Sequence, residues 1–176
     1  MLLKTAFGYF AASKKSSLRR CSSNFGTKLF NPASAPYQLS GFFHGEYLER
    51  LRVAQTGTRA SWIVQGEEGS VEMAAGRATR VFAENESDDR VLDPAAVGLP
   101  HRERLTPPFE VAAHARLNAA AIAGEPGAAS DQAAFSAGVI LALVGAAGDV
   151  SDGLARARQA AASGAAHERL ELARSV

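Results

Sequence analysis

The 176-residue chain has a single cysteine, Cys21, and only 7% aromatic residues. One cysteine excludes an intramolecular disulfide and fits a reducing compartment. It also leaves no thiolate framework for zinc, since His44, His101, His114 and His167 are scattered along the sequence. Each histidine is read as a surface or helix-end residue. Long apolar runs are missing as well. The longest, residues 133–148, contains Ser136 and several glycines and falls short of the ~20 residues that cross a bilayer. It reads as a buried helix, and no membrane association is expected. No GxGxxG or Walker-type loop and no GxSxG elbow occurs, which removes the commonest nucleotide-binding and hydrolase signatures.

Acid is absent from the first 45 residues, which carry Lys4, Lys14, Lys15, Arg19, Arg20 and Lys28. The remainder holds 13 basic and 18 acidic side chains. Such asymmetry points to an N-terminal arm with its own task, anion binding or targeting. Residues 1–16 are expected to be a disordered or targeting segment, with a partial domain over 17–176. The expected location is cytoplasmic; the alternative is mitochondrial, with residues 1–23 as a basic, serine-rich transit peptide.

What is present suits an α/β fold. The chain is 47% hydrophobic and rich in Ala and Gly, a balance that favours helices packed closely on a small sheet. Residues 38–43 predict a strand. Tyr47, Leu48, Leu51 and Ala54 then fall on one face at helical spacing, with Gly57 placed as a C-cap. Residues 60–64 predict a second buried strand, so residues 38–64 read as a β-α-β unit with a parallel pair. Residues 79–82 and 90–92 are weaker strands around the polar turn ENESDD. Helices are predicted over 109–123, then from a cap at Ser130 or Asp131 through Val144, then from Ser151 to Ser163-Gly164, and over 165–174. Glu103 and Glu110 read as solvated. Arg156 and Arg158 read as solvent-facing rather than a phosphate clamp.

The stretch QGEEGSVEMAAG, residues 65–76, follows the second strand. By composition it is either a metal-binding loop at a strand end or a solvated turn. Four stretches taken in order decide which family it resembles: LFNPASAPYQLSGFFHGEYLERL, SWIVQGEEGSVEM, FEVAAHARLNAAAIAGEPGAASDQAAFSAGVILAL and VSDGLARARQAAASGAAHERLELA. Together they resemble the C-terminal half of a glycosyltransferase family 3 domain, of the anthranilate phosphoribosyltransferase-like kind. Asn31-Pro32, Ala123-Gly124, Gly127, Asp131, Ser163-Gly164 and Ala166 stand at the family's NP, AGxxGxxxD and SGxA positions.

The resemblance implies a partial nucleoside phosphorylase/phosphoribosyltransferase-type domain. Its sheet would be small and mostly parallel, with C-terminal helices. It also implies Mg²⁺ as a possible cofactor, held at the GxDGxDE loop. Laid on that loop, Gly66 and Gly69 match the glycines, Glu68 takes the first acid's place and Glu72 the last, but Val71 replaces the metal-binding Asp. Mg²⁺ demands oxygen ligands in near-octahedral geometry, so Glu72, with Glu68, is a weak metal candidate. The family's GTGGD phosphate loop resembles nothing in these residues. A truncated domain, inactive alone, is therefore expected, in need of a complementary chain or a second copy.

EGSVE, SDGLARARQA and RCSSNFGTKL are also similar to a divergent branch of that family whose members bind nucleic acid. Arg20 and Lys28 would fall on that branch's basic helix, with Asn24 at a polar position; Arg19 adjoins them. In the enzyme branch Arg20 aligns instead with the arginine that contacts the anthranilate carboxylate. A guanidinium fork binds carboxylate and phosphate alike. Two partners follow: substrate in a transferase, or single-stranded nucleic acid in a binding module.

Overall fold

The computed structural model describes residues 31–175, apart from 32, 55–57, 85, 100–104, 107 and 109. Residues 1–30, and with them Cys21, lie outside the described residues, as do Gly57, His101 and Glu103.

A four-stranded sheet carries strands β1 (Tyr37–Gly41), β2 (Ala60–Val64), β3 (Thr79–Ala83) and β4 (Arg90–Leu92) in that spatial order. Helix α1 (Leu48–Ala54) connects β1 to β2, which pair parallel with Tyr37 opposite Ala60 and Gly41 opposite Val64. The expected β-α-β unit is therefore present. The rest of the sheet corrects the expectation of a mostly parallel arrangement. β3 pairs antiparallel with β2, and β4 antiparallel with β3, so the sheet is mixed. For β4 the reason is connection length. A parallel crossover needs a dozen or more residues, usually a helix, and residues 84–89 are far too few. Residues 65–78 form an irregular loop that returns the chain antiparallel.

Side-chain alternation along the strands gives the sheet two apolar faces. Ile63 and Phe82 point to one face, where Phe42 and Leu51 of α1 complete a small cluster. Val64 and Val81 point to the other, joining Met73, Leu99, Phe135, Val139 and Leu154. Arg52 fastens α1 to the β3–β4 turn. Its guanidinium donates to the Ala83 carbonyl at 2.6 Å and to Asp89 at 2.6 Å, while Asp89 also accepts the Ala83 N–H.

Four helices follow: α2 (Val111–Ile122), α3 (Ala128–Leu143), α4 (Val150–Ala162) and α5 (Ala165–Arg174). Their starts differ from the predicted ones in instructive ways. Glu110 caps α2, its carboxylate accepting the Ala112 and Ala113 N–H groups at 2.9 and 2.6 Å, so this residue has structural work beyond solvation. Gly127 precedes α3, displacing the predicted cap at Ser130 or Asp131. Ser130 instead donates to the Glu125 carbonyl, and Asp131 pairs with Arg158 at 3.2 Å. Asp149, not Ser151, caps α4 by accepting the Asp152 N–H at 2.8 Å. Arg156 donates to Asp152 and to the Ala146 carbonyl. The hydrogen bond from Arg156, then that from the Gly148 N–H, holds the Asp152 carboxyl below its usual range. Both arginines of the SDGLARARQA stretch are thus tied to carboxylates. No described helix is long and apolar enough to cross a membrane.

Candidate functional site

In sheets with parallel strands, ligands gather outside the carboxyl ends. Here that position lies at the end of β1 and β2, under the 65–76 loop. The loop is neither a bare turn nor a metal cage. Its base is fixed in several ways. The Glu67 N–H donates to the Glu72 carbonyl at 2.8 Å and the Ser70 N–H to the Glu67 carbonyl at 2.8 Å. The Ser136 hydroxyl on α3 accepts the Met73 N–H at 3.0 Å, and Met73 is fully buried in the core. Gly41 ends β1 beneath the loop, where a Cβ would run into the Ser70 and Gly69 carbonyl oxygens. A Cβ on Gly66 would come within 2.6 Å of the Glu72 oxygen. Only glycine allows this approach of loop to strand.

The apex of the loop is open. Glu68 and Glu72 are exposed, and Glu68 adopts a left-handed backbone with φ of 50°. Val71 is 38% exposed. The loop separates two depressions. A crevice of about 440 Å³ is lined by Leu39, Ser40, Gly41, Glu68, Gly69, Ser70 and Val71. A cleft of about 490 Å³ lies on the other side, where Glu67, Glu68 and Glu72 face His114 and Asn118 of α2 and Gln132 and Ser136 of α3.

His114 is on the surface as expected, but at the rim of this cleft. Asn118 and Gln132, which the sequence motifs do not single out, line it too. The available signal was the i,i+4 spacing of His114 with Asn118 and of Gln132 with Ser136, which stacks each pair on one helical face. Arg19, Arg20, Asn24 and Lys28 lie outside the described residues. His44 and His167 are exposed and line neither depression.

Over residues 4–167 the chain matches the family described as "Glycosyl transferase family, a/b domain". The chain belongs to that family. Relatives include anthranilate phosphoribosyltransferases from Burkholderia thailandensis, 36% identical over 152 residues, and from Stenotrophomonas maltophilia, 33% identical over 151. These matches cover 83% and 81% of this chain but 44% and 43% of the relatives. The chain therefore spans less than half the length of the curated relatives it matches. Among solved structures, anthranilate phosphoribosyltransferase from Thermus thermophilus superposes with a TM-score of 0.63 at 29% identity, covering 74% of this chain and 40% of that one. The Saccharomyces cerevisiae enzyme in complex with PRPP and Mg gives 0.64 at 19% identity over 77% and 40%, a likeness of fold.

A family magnesium site would draw on this loop, and the residues present do not fit one. Glu67 is drawn to Arg77 at 3.1 Å. Val71 and Glu72 line different depressions, and among the described residues Glu68 is the one carboxylate that lines the crevice with Val71. Among the described residues no group of three or more His, Cys, Asp or Glu side chains is placed to hold a metal. Mg²⁺ binds weakly without at least one or two well-placed carboxylates and a phosphate ligand.

Proposed function

We propose that this chain is a family 3 glycosyltransferase a/b segment of the anthranilate phosphoribosyltransferase type that does not transfer phosphoribose by itself. The observation that carries this reading is Val71 at the carboxyl-end crevice. Phosphoribosyl transfer depends on clamping the charge of a leaving pyrophosphate. A loop bearing Glu67, Glu68 and Glu72 concentrates carboxylates at this end of the sheet, which disfavours a polyanion unless a cation intervenes. A complementary polypeptide or a second copy of the chain would have to supply the missing donors.

The test is product formation from phosphoribosyl pyrophosphate and anthranilate with magnesium, followed by the fluorescence of anthranilate. The expected result is no turnover above buffer by the chain alone. Magnesium-dependent turnover abolished by Glu72→Ala would overturn the proposal.

A second reading is favoured by the charge of the first 45 residues. Lys14, Lys15, Arg19, Arg20 and Lys28 have no neighbouring acid to compete with phosphates, and Asn24 adds a polar contact. Within residues 14–28 the one aromatic is Phe25, with Phe30 just beyond, so single-stranded nucleic acid would be held mostly electrostatically and without sequence preference. Affinity for labelled single-stranded DNA is expected to fall with salt by about 0.7 log units per log unit for each phosphate contact. Arg19→Ala with Arg20→Ala should flatten that slope and weaken all sequences alike. Binding that ignores salt, or none at low salt in a folded sample, removes this reading.

A further inference from the structure

We propose that the cleft between the loop and helices α2 and α3 binds a primary organic amine, an ammonium group carried on a small apolar body. This cleft lies across the loop from the carboxyl-end crevice, and its occupation does not depend on whether the chain transfers phosphoribose.

The cleft holds about 490 Å³, inside the range of roughly 300–1,000 Å³ found for small-molecule sites. Leu105, Leu117, Ala121 and Ala129 give it an apolar lining suited to hydrocarbon. Glu72, His114, Asn118 and Gln132 line it too, and among the described residues none of these four side chains has a hydrogen-bond or ion-pair partner. Single polar side chains without partners are ordinary on a surface. Four that converge on one partly apolar concavity make the pattern of a ligand site.

Glu72 is the best positioned of the four. Its N–H donates to the Ser70 hydroxyl at 3.0 Å, and its carbonyl accepts the Glu67 N–H at 2.8 Å. The next residue, Met73, is fully buried and held by Ser136 of α3. The main chain is thus fixed around a carboxylate that no described group neutralises. A site ordered in advance loses little freedom on binding.

The polar groups select the ligand. An ammonium has three N–H donors and no acceptor. The Glu72 carboxylate and the amide carbonyls of Asn118 and Gln132 offer three acceptors, and the bond to the carboxylate is charge-assisted. Among the described lining residues there is no lysine or arginine, so a carboxylate or phosphate ligand would meet no such counter-charge.

The experiment titrates phenethylamine into the full chain and follows the side-chain amide resonances of Asn118 and Gln132 by NMR. Phenethyl alcohol and phenylacetate, with the same apolar body, are the neutral and anionic controls. Phenethylamine should bind at about 1 mM or tighter, shifting both amides, and each control at least about tenfold more weakly. Glu72→Gln should weaken the amine at least about tenfold, the loss of a charge-assisted bond, and bring it level with the alcohol. Glu168→Gln, an exposed acid of α5 outside the cleft, should leave the affinity unchanged. Glu72 and Glu168 are both exposed, so the variants should keep the wild-type melting transition; Asn118→Leu, which should weaken the amine about threefold or more, serves beside Glu72→Gln if that variant does not. No binding, phenylacetate bound as tightly as the amine, or a folded Glu72→Gln without loss overturns the proposal. So does displacement of the amine by an equal concentration of Mg²⁺, which would give the carboxylate to a metal. Turnover by the wild-type chain would overturn only the preceding reading of inactivity.

Discussion

Phe135→Ala is expected to lower the unfolding free energy by about 4 kcal/mol, the middle of the range for emptying a buried aromatic site. Phe135 is 0% exposed and sits among Val64 and Val81 of the sheet, Met73 of the loop, and Val139 and Leu154 of the helices. It is the side chain through which α3 reaches the sheet and the loop at once. The neighbouring Ser136 holds the Met73 amide, so the cavity should also loosen the loop. Urea denaturation should show a lower midpoint with little change in slope, because the area exposed on unfolding is nearly the same. Amide exchange at Met73 should accelerate more than exchange at Arg52 or Ala83 on the far side of the sheet. A loss below about 1.5 kcal/mol would mean that the site collapses freely, contrary to the close packing expected of such a core.

The fold was legible wherever a local period carried it. Tyr47, Leu48 and Leu51 announced α1, and the short apolar runs at 38–43 and 60–64 announced a parallel pair, because a helix between two adjacent strands brings the chain back in the same direction. Strand direction further on was not stated by any period. The brevity of residues 84–89 does require β4 to return antiparallel. Cap assignments failed for a different reason. Ser130 and Asp131 are good caps by type, yet Arg158 claims Asp131 from 27 positions away, and a glycine precedes the helix instead. Propensity yields to such tertiary partners.

The candidate site divides along the same line. The loop was recognisable from its glycines, and the structure gives them a physical reason in the contacts with Gly41, Ser70 and Glu72. The division of the acids between two depressions was invisible, since it depends on where α2 and α3 come to rest. His114 and Asn118 showed their common face in their spacing, but nothing in the spacing said what that face would meet.

Gly153 in SDGLARARQA shows how a family motif acquires a physical meaning, and its replacement is the other large expected effect. Helices α3 and α4 cross at Gly138 and Gly153 with backbones nearly touching. A Cβ on Gly138 would lie 2.6 Å from the Leu154 nitrogen, and one on Gly153 would run into the Gly138 carbonyl. Both obstacles are backbone, which cannot rotate away as a side chain can. Alanine normally gains about 1 kcal/mol over glycine in a helix. Here the helices must part, and overpacking should outweigh that gain, for a net loss of about 3 kcal/mol at Gly153. The separation would also pull Leu154 from the cluster it shares with Phe135 and Val139. Gly138→Ala should act through the same movement. Once the helices have parted for one methyl, the second meets less resistance, so the double variant should cost clearly less than the two single losses combined. Denaturation of the three variants measures this directly. Strict additivity would show two independent clashes, and a stabilised Gly153→Ala would show that the crossing is not as close as the structure has it.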